Sequence, residues 1–280
     1  MPGQGAARIV ARNAIDWSSV TKDDPGVVDP LPHQHVAGLQ KMRLGSRAID
    51  KSAGTQRRRT STGEMVSQAR SERSSETRES ILVTAERLFA LHGVAAVSNR
   101  QISEEAGQSN NFAVGYHFGT KQDLILAIIR RHHLPIEQRR TEMLAHIAQS
   151  QELRDFMACL VRPTTEYLAS LGQPTWYARF IAQVTTDPVL RELFISEARS
   201  GSVSMQQTID GMFRLISHLP ERLQRERGDM CRLLIVHICA EYERAIQEGS
   251  APSGSSWQST ADALIDALTG LWLAPITSRD

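Results

Sequence analysis

From Glu76 onward, apolar residues recur at every third and fourth position, the spacing that lines one face of an α-helix. Ile81, Leu82, Ala85, Leu88 and Phe89 make the first stripe, and Gly93 behind them supplies a left-handed stop. A shorter helix is predicted from Ser98, with Gln101 completing a capping box, Ile102 and Ala106 facing inward and Gly107 ending it. The polar turn Gln108-Ser109-Asn110-Asn111 leads into a brief segment holding Phe112, Ala113, Val114, Tyr116, His117 and Phe118. Thr120 and Asp123 cap a further stripe of Leu124, Ile125, Ala127 and Ile128, and Pro135 is expected to close this head.

Longer helices are predicted over 136–149, 152–171, 174–186, 188–218 with a break near Gly201, 220–248 and 257–273. Gly172-Gln173-Pro174, Asp187-Pro188, Leu219-Pro220 and the stretch from Gly249 to Gly254 punctuate them. No strand-type alternation interrupts the pattern. The expected fold is all-α, with a three-helix head over 75–135 and a larger helical domain over 136–280.

Residues 1–64 read differently. Pro2, Pro25, Pro30 and Pro32 with several glycines break each short apolar run, and ten basic residues against six acidic ones leave a net +4. No face long enough to bury offsets the ordering entropy, so a poorly structured tail is expected. Either it is a basic arm that lies along nucleic-acid phosphates, or the chain properly starts at Met65. The onset of the globular pattern just after Met65 favours the second.

Charge narrows the function only locally. Lys and Arg total 32 against 31 Asp and Glu, which excludes a polycation or an acidic coil without excluding a basic surface. Three cysteines with no CxxC pair exclude a disulfide framework and a four-sulfur zinc site, and fit a cytoplasmic location. No run is long and apolar enough for a membrane span, so no membrane partner is expected. His132-His133 point apart on a helix and His33 and His35 have no completing ligands, so neither a metal nor a cofactor is expected. No nucleophile elbow, phosphate-binding glycine loop or HExxH motif is present, and no enzyme is expected.

Two short helices joined at a glycine match a helix-turn-helix, whose second helix is narrow enough for the DNA major groove. Such pairs also occur in ordinary bundles, and the residue identities carry more weight. Ile81-Leu82, Leu88-Phe89, His92-Gly93, Ile102 through Gly107, Tyr116-His117-Phe118-Gly119 and Lys121 through Leu124 closely resemble the DNA-binding domain of the tetracycline-repressor (TetR) family. The resemblance covers Thr77 to Leu126, and the interval from Gly107 to Tyr116 is one residue longer than in many members.

That resemblance implies contacts that the side-chain chemistry also permits. Ser98 and the backbone N–H groups beside it would face a phosphate, and Arg100 would add a charged contact or merely solvate the surface. Tyr116, His117 and Lys121 would grip the sugar-phosphate backbone. Base reading would fall to Ser109, Asn110 and Asn111, with Phe112 or Val114 against thymine methyls, although asparagines here also suit plain turn chemistry. With no Arg or Lys between Gly107 and Tyr116, a guanine contact would come from Arg70, Arg73 or Arg78.

In the larger domain, Met157, Trp176, Phe180 and Phe213 are the weak candidates for lining a cavity that binds an unknown small-molecule effector, with core packing as the alternative for each. Phe156, Tyr177, Phe194, Met205 and Met212 are further bulky candidates, and Arg162, Glu166, Arg179 and His218 are polar ones. Leu233, Leu234, Val236, Ala240 and Tyr242, with Leu264, Ile265, Leu268, Leu271 and Trp272, are more apolar than one inward face needs, which predicts a homodimer. Twofold symmetry then predicts double-stranded palindromic operator DNA. The expectation is a dimeric, effector-responsive transcriptional repressor; the alternative is a helical ligand-binding or interaction module that reads no specific DNA.

Overall fold

The structure, a computed structural model, describes residues 53–147 and 149–276, so the tail over 1–52 lies outside the described residues. Those residues form ten helices and no strand. The helices are α1 (Ala53–His92), α2 (Asn99–Glu105), α3 (Ala113–Phe118), α4 (Lys121–Ile147), α5 (Leu153–Ser170), α6 (Tyr177–Thr186), α7 (Pro188–Gly201), α8 (Val203–Ile216), α9 (Glu221–Gln247) and α10 (Trp257–Leu273). Among the described residues, those from Arg78 to Ile276 belong to one compact unit, and those from Ala53 to Thr77 group separately.

Helix α1 starts at Ala53, inside the segment for which no regular structure is expected. No proline follows Pro32 before Pro135, so the backbone can continue N-terminally from the apolar stripe without a forbidden residue. From Ile81 the helix turns amphipathic: Ile81, Leu82, Ala85, Leu88 and Phe89 are buried in the core, with the Phe89 ring stacked on Phe180 of α6 at 6.1 Å.

A second expectation fails at Pro135. It does not end the head but sits within α4, which runs unbroken to Ile147. An internal proline forfeits one ladder hydrogen bond and crowds the preceding turn, at a cost of about 3 kcal/mol. Burial on both sides of it offsets that cost: Ile128, Ile129 and His132 before it, and Ile136, Arg140 and Leu144 after it. Head and body are therefore joined by one continuous rod.

Elsewhere local chemistry sets the boundaries. Asp187 caps α7 by accepting from Val189 N (2.8 Å) and Leu190 N (3.0 Å), with Pro188 at the first helical position. Ser202 caps α8, which breaks the predicted 188–218 helix just past Gly201. Ser256 and Ser259 close a reciprocal capping box on α10. Among these helices α10 packs on α5, α6 on α9 and α4 on α5, and the core runs continuously from Ile81 to Trp272.

The body also buries charge. Glu243 is fully buried in α9 and faces the start of α6, where it accepts from Thr175 Oγ1 (2.8 Å), Ala178 N (3.2 Å), Arg179 N (3.0 Å) and Arg179 Nε (3.1 Å). One carboxylate thus satisfies backbone donors orphaned at a helix start and neutralises the Arg179 guanidinium.

Candidate nucleic-acid interface and ligand cavity

In the head, Ser98 caps α2 with its Oγ accepting from Gln101 N at 3.1 Å, the forward half of the expected box. Gly107 then takes φ +70°, a conformation that a Cβ would strain, and the chain runs through Ala106–Phe112 before α3 begins. The longer interval goes into the turn. Ser103, fully buried, has its Oγ within reach of the carbonyls of Asn99 (3.1 Å) and Asn111 (3.4 Å), which ties the turn to α2.

This turn sorts the candidates. Asn110 Oδ1 accepts from Phe112 N at 2.9 Å, the turn chemistry that was the alternative reading for it. Ser109 and Asn111 stay exposed. Val114 does not face outward with Phe112: it is fully buried beside Ala113, because it is on the inner side of a one-and-a-half-turn helix. Phe112 and Tyr116, four residues apart, are both 81 % exposed on the outer side, with Gly115 open between them. His117 lies half-buried with its ring edge-on to Tyr116, at 5.0 Å between centroids.

The cations divide too. Arg100 is outward and paired only with Glu104 one turn on (2.7 Å), which holds its pKa above the ordinary value. Lys121 is committed inward. Its Nζ donates to Val94 O (2.9 Å) and Val97 O (2.6 Å), and partial burial lowers its pKa. The same ammonium lies 6.0 Å from the centroid of the buried Phe89 ring. Arg78 lays its guanidinium over the Phe118 ring at 4.7 Å. Arg73 is exposed, and the Arg70 side chain lies outside the described ones.

In the body, a cavity of about 260 Å³ opens among α4 to α10. Ile136, Leu160, Ile181, Met205, Ile235 and Trp272 typify its lining. Tyr177, Phe194, Met205 and Met212 from the bulky candidates do line it. Phe156, Met157, Trp176, Phe180 and Phe213 do not, and Phe156 is buried in the core. Met157 and Phe180 are fully enclosed by neighbouring side chains, Trp176 lies beneath the Arg179 guanidinium at 4.5 Å, and Phe213 packs half-buried against the core. The polar candidates are elsewhere as well: Arg162 pairs with Asp262 (2.7 Å), Glu166 with Arg139 (2.6 Å) and Arg179 with Glu243, while His218 borders a separate hollow by α10.

Sequence reasoning missed Arg232, Arg140, Cys231 and Cys239 in that lining. Arg232 was detectable, since it abuts the apolar run Leu233–Val236 on a helix. Burial pushes the Cys231 and Cys239 thiols up to about 12, so both are protonated and count as apolar surface. Among the described residues no group of three or more His, Cys, Asp or Glu side chains could hold a metal, and no helix is long and apolar enough to cross a membrane.

One buried cluster joins head to body. His132 Nε2 lies 2.8 Å from Glu86 Oε2 of α1, its Nδ1 lies 2.8 Å from Tyr167 OH, and its ring stacks on Tyr177 at 3.9 Å. Tyr177 is itself part of the cavity wall.

The architecture is that of an all-helical protein with a helix-turn-helix head on a cavity-bearing helical body. Residues 81–128, which lie within this head, match the family model described as bacterial regulatory proteins, tetR family. Two curated relatives are HTH-type transcriptional repressors AcnR. The one from Corynebacterium glutamicum is 27% identical over 133 residues, covering 46% of this chain and 62% of the relative. The one from Corynebacterium diphtheriae is 31% identical over 122 residues, covering 44% and 57%. The matched region thus spans about three fifths of either relative's length.

Proposed function

We propose that this chain is a sequence-specific DNA-binding transcriptional regulator that acts as a homodimeric repressor responsive to a small effector. The observation that carries the reading is the outer side of α3 and its preceding turn. Ser109, Asn111, Phe112 and Tyr116 are presented to solvent there, while Ala113 and Val114 lock the same short segment into the core. Two large aromatics exposed on so small a helix cost solvation without an internal return, and an outside surface supplies the missing contact. Asn111 would pair with a base edge, Phe112 would meet thymine methyls, and Tyr116, His117, Arg100 and Lys121 would hold phosphates. In this division the residues up to about 135 read the duplex and those beyond it bind ligand and partner.

The dimer reading is supported by α9. Met230, Leu233, Leu234 and Ile238, spaced as one helical stripe, are 37–49 % exposed. On α10, Ala263, Ala267 and Gly270 leave a small-residue outer face that permits close approach of a second helix. Selection from a random duplex pool tests the function: an enriched palindrome with half-sites about one helical turn apart is expected. Absence of any enriched sequence would overturn it.

A further inference from the structure

The interior of the body satisfies its arginines almost everywhere. Arg140 donates to Cys159 O (3.1 Å) and sits against Glu137 and Ser202; Arg227 donates to Trp272 O and Ala274 O, both at 2.6 Å; Arg179 is held by Glu243. Arg232 is the exception. Its side chain is 16 % exposed, its Nη2 reaches Asp229 at a long 3.3 Å, and its Nε and Nη1 are buried with no partner. It lines the 260 Å³ cavity, and no Asp or Glu does so among the described lining residues.

A buried guanidinium with idle donors is costly unless something supplies acceptors. Nothing in the wall does. The nearby sulfurs of Cys231 and Cys239 are protonated thiols, and the rest of the wall is mostly aliphatic. The cavity therefore asks for one acceptor-rich, negatively charged end and an apolar remainder. A dianion is poorly matched, because Arg140 is already neutralised by Glu137 and Arg232 is partly balanced by Asp229. The volume lies just under the range of about 300–1,000 Å³ that holds drug-sized molecules, which sets a modest length.

We propose that the cavity binds an amphipathic monocarboxylate, its aliphatic chain among Ile136, Leu160, Ile181, Met205 and Ile235 and its carboxylate on the Arg232 guanidinium. The inference rests on the effector-responsive reading above and gives that effector its chemical class.

The test uses the full chain and calorimetric titration with decanoate, decanol and decylamine, each kept below its micellar concentration. Decanoate is expected to bind about tenfold or more tighter than decanol, with decylamine weakest. Arg232→Met should cut decanoate affinity by about tenfold or more and leave decanol within about twofold. Should that variant melt early or fail to fold, Arg232→Gln and Arg232→Lys serve instead, and the wild-type decanoate-to-decanol ratio stands as a reading of its own. Equal binding of decanol and decanoate, binding of none of the three, or an unchanged ratio in the variants overturns the proposal. Duplex affinity measured with and without decanoate separates the two readings. Tight decanoate binding that leaves duplex affinity unmoved upholds the ligand class and removes the effector role. Intact duplex binding with no carboxylate binding upholds the DNA reading and removes the ligand class.

Discussion

The head and the body dispose of their awkward side chains in opposite directions. In the head, apolar groups that a small helix cannot enclose are turned outward: Phe112 and Tyr116 stand clear of the protein while Val114 between them is buried. In the body, charged groups that an apolar interior should expel are turned inward: Glu243, Arg179 and Arg140 are all buried, each with partners on another helix or loop. Misplaced apolar surface is left to the outside of the molecule, and misplaced charge is answered from inside it. Arg232 belongs to the body but behaves like the head, with donors that the protein itself does not answer.

Substitutions can break this contrast, and the largest effect is expected at Glu243. Glu243→Ala leaves Arg179 and the first turn of α6 unpaired in the interior, and should cost about 3–5 kcal/mol by urea denaturation. A loss under about 1 kcal/mol would mean that the buried pair is not a brace. Gly211→Ala comes next. A Cβ there would lie 2.1 Å from Phe156 Cε1, whose ring is itself fully buried, so overpacking should remove about 1–3 kcal/mol despite alanine's better helix propensity.

The head should respond in the other currency. Phe112→Ala and Tyr116→Ala should each leave stability within about 0.5 kcal/mol and weaken duplex binding by about tenfold, read by fluorescence anisotropy. Asn111→Ala should relax base choice, whereas Arg100→Ala should weaken all sequences alike and reduce the salt slope by about one. Lys121→Ala straddles the contrast: losing its two carbonyl contacts should cost about 1–3 kcal/mol of stability, along with some duplex affinity.

The smallest effect is set by pH. Burial alone would push the Glu137 carboxyl up, but hydrogen bonds from Ser202 and from Ser204 N (2.9 Å) and Oγ (2.7 Å), with the Arg140 charge, outweigh it and hold the group below its ordinary 4.5. A depressed carboxyl stabilises the fold fully above the unfolded value, and that contribution disappears as pH falls through the folded one. Melting temperature should therefore fall more steeply below about pH 4.5 in the wild type than in Glu137→Gln.

These regions also differ in how far the sequence reveals them. The head is short-range: stripe, cap, glycine and turn fall within a few residues, so Ser98, Gly107 and the outward Phe112 could be read directly. Val114 escaped because a six-residue helix is too short for periodicity to assign its faces. In the body, helix positions are legible but pairings are not. Glu243 meets Arg179 across 64 residues and His132 meets Glu86 across 46, separations to which no local pattern is sensitive. Pro135 misleads for the same reason, since only the packing of α4 on its neighbours keeps the helix whole. Bulk alone likewise could not tell core from cavity wall, which is why Phe180 and Tyr177, three residues apart, have different fates.

On the function proposed above, the exposed strip on α3 reads DNA in duplicate. The most direct measure of this is a titration of the enriched duplex, by anisotropy with sedimentation for stoichiometry, across a range of salt. Two chains per duplex are predicted, with affinity falling linearly on logarithmic axes as salt rises and collapsing when one half-site is scrambled. One chain per duplex with equal affinity for the scrambled sequence would contradict it.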